Sequence, residues 1–100
     1  MVGSLRLDFP KNSLDDHDRV VEALNFPGDW PDGAIVHSAY EVDGHLVVTD
    51  VWESRQHFDR FAEERLRPAM SQALGDRASE PADILERELH HLSSREHGTT

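Results

Sequence analysis

The chain contains no cysteine. That excludes disulfides, thiolate nucleophiles and cysteine-ligated zinc or iron–sulfur centres. No apolar run approaches the length of a membrane span, and the N-terminal MVGSLRLDFP lacks the basic and apolar regions of a secretory signal. A cytoplasmic location is the expectation. Positive charge is scarce as well: 10 Lys and Arg stand against 20 Asp and Glu, for a net charge of −10. Such a surface repels a phosphate backbone and an anionic bilayer, so neither nucleic acid nor membrane is an expected partner. Seven histidines would offset part of that charge below about pH 6, yet its simplest role is solubility. No dinucleotide fingerprint, P-loop or nucleophile elbow occurs, and nothing specifies flavin, nicotinamide or another cofactor.

What is present suits one small globular domain: 100 residues, 37% hydrophobic and 30% charged. Leu5, Leu7 and Phe9 alternate with Ser4, Arg6 and Asp8, which predicts a half-buried strand stopped by Pro10. Ser13 then caps a helix whose first turn is acidic. Leu14, His17, Val20, Val21 and Leu24 share its inner stripe, and it ends near Asn25. His17 is expected to be a half-buried packing or hydrogen-bonding residue. FPGDWPDG is a loop. Ala34 to Val42 and His45 to Trp52 read as strands joined by the turn pair Asp43-Gly44. Ser54 caps a second helix with Phe58, Phe61, Ala62 and Leu66 inward; Pro68 either kinks it or begins a continuation through Leu74. ILERELHHL fits helical spacing too, but the order of elements assigns residues 83–92 to a strand. Residues 1–92 thus form a single domain, and 93–100 are expected to be a frayed tail. The order β-α-β-β-α-β predicts a ferredoxin-like α+β fold: a four-stranded antiparallel sheet with two helices on one face.

A two-residue turn sets the hairpin register. Val42 faces His45, Glu41 faces Leu46, Ala39 faces Val48, His37 faces Asp50 and Ile35 faces Trp52. A carboxylate on a buried sheet face needs a partner, and His37 supplies one to Asp50. The pair reads either as chemistry, with the carboxylate orienting an imidazole base, or as a satisfied polar pair that holds strand register. The opposite face carries Val36, Tyr40, Val47 and Val51. Two helices cover only one side of a sheet, so a second copy of the chain is the expected cover for this apolar face.

The entry glycine Gly33, His37, the turn glycine Gly44, DVWES at Asp50–Ser54 and the F..F....L.P helix of Phe58, Phe61, Leu66 and Pro68 together resemble the dimeric α+β barrel superfamily. The resemblance is to small proteins similar to antibiotic-biosynthesis monooxygenases, and it spans Leu5 to His91. It implies two sheets paired into a barrel. It also implies a pocket in each subunit, lined by His37, Asp50 and Trp52 from the sheet and by Phe58, Phe61 and Arg65 from the helix. Arg65 would clamp an anionic or enol oxygen, or else reach solvent. Haem-degrading relatives of this type use a first-strand asparagine, a helical tryptophan and a histidine ten residues beyond it. Here Phe61 and Ser71 stand at the latter two places and the first strand has no asparagine, so haem degradation is not expected.

The functional expectation is a cofactor-independent oxygenase, isomerase or cyclase acting on a hydrophobic aromatic or polyketide-like molecule. His37 would be the base, Asp50 its orienter, and Trp52, Phe58 and Phe61 the walls. The rival is a non-enzymatic ligand-binding or structural dimer. Adjacent His90 and His91 would point to opposite faces of a strand, and His37 has no ligand spacing around it, so no metal site is expected.

Overall fold

A computed structural model describes residues 2–26, 28–94 and 98–99 of the chain. Strand β1 (Gly3–Phe9) buries Leu5, Leu7 and Phe9 and turns the residues between them outward. Helix α1 (Leu14–Ala23) begins with a reciprocal cap: the Ser13 hydroxyl accepts from the Asp16 amide, and the Asp16 carboxylate accepts from the Ser13 amide. Its far end closes as a Schellman motif. Asn25 adopts φ 60° while the Asn25 and Phe26 amides return to the Glu22 and Val21 carbonyls. Leu14 departs from the expected inner stripe; it is 38% exposed.

Strands β2 (Ala34–Val42) and β3 (His45–Trp52) have the predicted limits. Asp43 and Gly44 take φ 51° and 86°, the two positive values that a two-residue primed turn demands. Strand β4 (Asp83–Glu88) pairs with β1, so this segment is strand rather than helix, but it is shorter than the expected 83–92: residues 89–92, with His90 and His91, lie beyond its end. The sheet order is β2-β3-β1-β4, antiparallel throughout: the ferredoxin-like arrangement.

Ser54 caps α2 (Arg55–Phe61), which continues through a π-helical turn (Ala62–Leu66) into α3 (Arg67–Leu74). Pro68 lacks an amide hydrogen and would collide with the preceding turn of an α-helix. The wider turn relieves this, with the Arg67 amide reaching five residues back to Ala62, and Pro68 falls in the first turn of α3. Of the two outcomes open for Pro68, the continuation is found. The helices cover one sheet face over a core of Leu5, Leu7, Phe9, Val20, Leu24, Leu46, Val48, Trp52, Phe58, Met70 and Leu74. The expected frayed tail falls partly on residues 95–97 and 100, outside those described; Ser93–Ser94 (β5) pairs with Gly98–Thr99 (β6).

Candidate functional site

The hairpin brings the central pair together. His37 lies opposite Asp50, and its Nδ1 is 2.7 Å from Asp50 Oδ1. The register holds from Val42–His45 outward to this pair and beyond it to Val36–Val51. The expected Ile35–Trp52 pairing does not form. A bulge at Ile35 sets Ala34 opposite Trp52 instead, so β2 carries one more residue than β3 over this stretch. The bulge follows Gly33, whose φ of 85° only glycine adopts without strain. A Cβ there would lie 2.4 Å from the His57 ring. His57 is itself held by the Ser54 hydroxyl at 2.6 Å, so the strand entry and the α2 cap are locked together.

Asp50 is buried and has both oxygens occupied. While Oδ1 faces His37, Oδ2 accepts the indole N–H of Trp52 at 3.2 Å. The other nitrogen of His37, Nε2, lies 2.9 Å from Nε2 of His17 on α1. The two ring planes are within 8° of parallel and the centroids are 5.2 Å apart. That spacing is the N···N distance plus the two ring radii, so the imidazoles meet edge to edge in one plane rather than face to face. Nδ1 of His17 is 3.2 Å from Asp18 Oδ1 at the surface. A single line of contacts therefore runs Trp52–Asp50–His37–His17–Asp18.

These groups border a cavity of about 70 Å³ between the sheet and the helices. His17, His37, Asp50, Trp52, Phe58 and Phe61 all line it. Phe26 meets the His37 ring edge-on at 5.8 Å and stacks on Phe61 at 6.3 Å, placed there by the Schellman turn. Trp30 stacks on Phe26 and donates its indole N–H to the Ala34 carbonyl. His17, Phe26 and Trp30 are members that sequence reasoning did not place in the site. For His17 the signal was a polar residue within an apolar helical stripe.

Of the two places open to Arg65, pocket clamp or solvent, it takes neither in full. Its guanidinium donates to the Leu24 and Asp29 carbonyls, at 3.2 and 3.0 Å, and lies over the Phe61 ring at 5.6 Å. It does not border the cavity; it ties the Leu24 end of α1 to Asp29, because carbonyls past a helix end are strong acceptors for it.

Asp16 also borders the cavity but is consumed by structure. Arg77 donates to it at 2.6 Å and Asn12 at 3.2 Å. Burial by itself would raise its carboxyl pKa. The hydrogen bonds from Arg77, Asn12 and the Ser13 amide, with the Arg77 charge, together outweigh that and hold it below the ordinary 3.8.

Of the four residues expected on the outer face, Tyr40 is 41% exposed, Val36 and Val51 are half-buried, and Val47 is already buried within the protomer. Val36 pairs with Val51 but also borders the cavity beside the bulge. Leu85 of β4 adds another exposed apolar side chain to this face. Near Val47, Asp8 and His45 approach to 3.5 Å, close enough for attraction but without a hydrogen bond. Among the described residues no three His, Asp or Glu side chains gather as a metal site, and no helix is long and apolar enough to cross a membrane.

No family model matches the chain, and no curated protein matches it. Solved structures do. Rv0793 from Mycobacterium tuberculosis superposes with a TM-score of 0.59 at 18% identity, covering 93% of this chain and 98% of that one. NE2512 from Nitrosomonas europaea, a protein of unknown function, gives 0.61 at 17% identity, covering 93% and 91%. SnoaB from Streptomyces nogalater, a cofactor-independent oxygenase solved as a point mutant, gives 0.57 at 15% identity, covering 89% and 92%. At these identities the likeness establishes the fold: the chain has the ferredoxin-like α+β architecture of antibiotic biosynthesis monooxygenase-like proteins.

Proposed function

We propose that this protein is a cytoplasmic homodimeric enzyme that starts its reaction by taking a proton from a hydrophobic aromatic or polyketide-like molecule. One observation carries the reading: an imidazole whose Nδ1 is held by a buried carboxylate while its ring borders a cavity walled by Trp52, Phe58 and Phe61. Asp50 fixes the His37 tautomer, leaving the Nε2 lone pair as the base. Deprotonation of an acidic C–H or O–H leaves the electron pair on the substrate. That anion either isomerises or cyclises, or it reduces dioxygen. Conversion of a methylene to a carbonyl with release of water balances one dioxygen with no outside reductant, so no cofactor is required. The cofactor-independent oxygenase among the structures of this fold agrees with that route.

The outer face completes the proposal. Tyr40 and Leu85, with Val36 and Val51, form an apolar surface that a second copy would cover, with Val47 as its floor. A second, non-enzymatic reading draws on the contact between His37 Nε2 and His17, which leaves the imidazole fully satisfied as a packing group would be.

Anthrone, whose CH₂ lies between two aryl rings, tests the enzymatic reading. Dioxygen uptake and deuterium exchange into that CH₂ should both be accelerated by the wild-type protein. His37→Ala and Asp50→Asn should each lose most of the acceleration, and the double variant little more, because the two act as a unit. Equal rates in wild type and both variants would leave the structural reading standing.

A further inference from the structure

The line of contacts through the site permits a count of protons. Carboxylates only accept, so the Nδ1 atoms facing Asp50 and Asp18 each carry hydrogen. The two Nε2 atoms at 2.9 Å need one hydrogen between them, since two would collide and none would leave two lone pairs opposed. With all three contacts made as hydrogen bonds, four ring nitrogens hold three hydrogens, and the fully bonded pair carries one positive charge between two carboxylates. The remaining titratable group bordering the cavity, Asp16, is committed to Arg77 and Asn12.

In this arrangement His37 has no bare nitrogen. Its one lone pair accepts from His17, and the cavity of about 70 Å³ is far below the ~300–1,000 Å³ of pockets that hold drug-sized ligands. Resting on the proposed proton-abstracting role of His37, we infer that His17 is a positioning residue that caps the base and carries its proton to solvent. The substrate's acidic edge takes the seat of the His17 N–H. His17 stands on α1 with its outer nitrogen on Asp18, 78% exposed, so a side-chain rotation toward Asp18 lifts Nε2 off His37. The bond from hydrogen to substrate then breaks, its electron pair stays on the substrate, and the hydrogen forms a bond to His37 Nε2. Displaced His17 releases one proton to water, keeps the hydrogen on Nδ1 and returns with Nε2 bare. It shares the proton now on His37, which restores three hydrogens. One proton has entered from substrate and one has left to solvent.

The inference also names a ligand class: a planar molecule with an acidic O–H or C–H at its edge, since it must replace an in-plane imidazole N–H. The probe is 2-naphthol, followed by ¹⁵N spectra of the imidazole nitrogens in wild type, His17→Gln and Asp18→Asn. In the free wild type the spectra should show both Nδ1 atoms protonated and a coupling between the two Nε2 atoms, and 2-naphthol should abolish that coupling. His17→Gln should bind 2-naphthol about tenfold more tightly, the equivalent of one capping hydrogen bond. Asp18→Asn, at an exposed position that does not threaten folding, should bind it a few-fold less tightly because the outward seat of His17 is weakened. If 2-naphthol binds all three alike, or binds with the Nε2 coupling intact, His17 is no cap and the inference falls while the proposed ligand class survives. Failure of all three to bind it removes the proposed function, and the cap with it.

Discussion

Trp52 donates its indole N–H to Asp50, the residue two before it on the same strand face, at 3.2 Å. The contact answers why a large amphipathic aromatic ends β3. It satisfies the oxygen that His37 does not reach and fixes the plane of the carboxylate. Trp52→Phe removes the donor while keeping an aromatic ring, and leaves a buried carboxylate oxygen without a partner. A loss of about 1–3 kcal/mol is expected, read as a lower urea midpoint at unchanged slope.

The His37–Asp50 contact should register in a double-mutant cycle. At 2.7 Å, with the imidazole partly exposed and the carboxylate buried, a coupling of about 1–2 kcal/mol is expected between His37→Ala and Asp50→Asn in unfolding free energy. Additive losses would mean the two side chains do not interact.

The depressed carboxyl of Asp16 predicts a specific acid limb. A carboxyl whose folded pKa lies below its unfolded value contributes stability at pH values above the unfolded value, and that contribution fades as pH falls through the folded one. The stability difference between wild type and Asp16→Asn should therefore be constant above the ordinary 3.8 by a clear margin, and shrink as acid is added below it. Denaturant melts across pH 2–7 provide the check. A difference independent of pH would assign the whole effect to the cap.

Two glycines with nearly the same backbone angle should respond very differently to alanine. Gly44, at φ 86°, has nothing within 4 Å of the place a methyl group would take, so Gly44→Ala carries only the cost of a left-handed backbone, about 1 kcal/mol. Gly33, at φ 85°, would drive its methyl into the His57 ring, so Gly33→Ala should cost about 2–5 kcal/mol. His57→Ala in the same chain should recover part of that loss. Thermal melts of the three variants distinguish ring contact from backbone strain.

Assembly is best tested at Tyr40 and Leu85, because both are exposed in the protomer whereas Val47 is not. Sedimentation of the wild type should give about twice 11.4 kDa. Tyr40→Glu with Leu85→Glu should yield a folded monomer, since a charge trapped in a dry interface costs several kcal/mol. A wild-type monomer at micromolar concentration would sink the dimer.

The parts of this molecule that could be read from its sequence are those decided by local chemistry. Asp43-Gly44 permits a turn with two positive φ values, and from that turn the Val42–His45 to His37–Asp50 register follows by counting. Counting fails at Ile35, where a bulge beside Gly33 adds a residue that no periodicity reveals. The partner of His17 was illegible because it depends on how α1 docks across the sheet. Arg65 was misplaced for a related reason. Its aromatic neighbour Phe61 was visible in the helical spacing, but the Leu24 and Asp29 carbonyls that claim it belong to a loop 36 to 41 residues away in sequence.

The distances along the chain also order the assembly of the site during folding. His37 and Asp50 are 13 residues apart and joined by a two-residue turn, while His17 must be recruited from 20 residues away by a docked helix. Closing a hairpin takes about 1–10 μs and needs no other element, whereas docking waits for the core. On that order, β2 and β3 would set the imidazole on its carboxylate before α1 docks, with the pair still open to water and uncapped. The docking of α1 that completes the native state is then also the event that seats His17 against His37, and on the proposed function it caps the base.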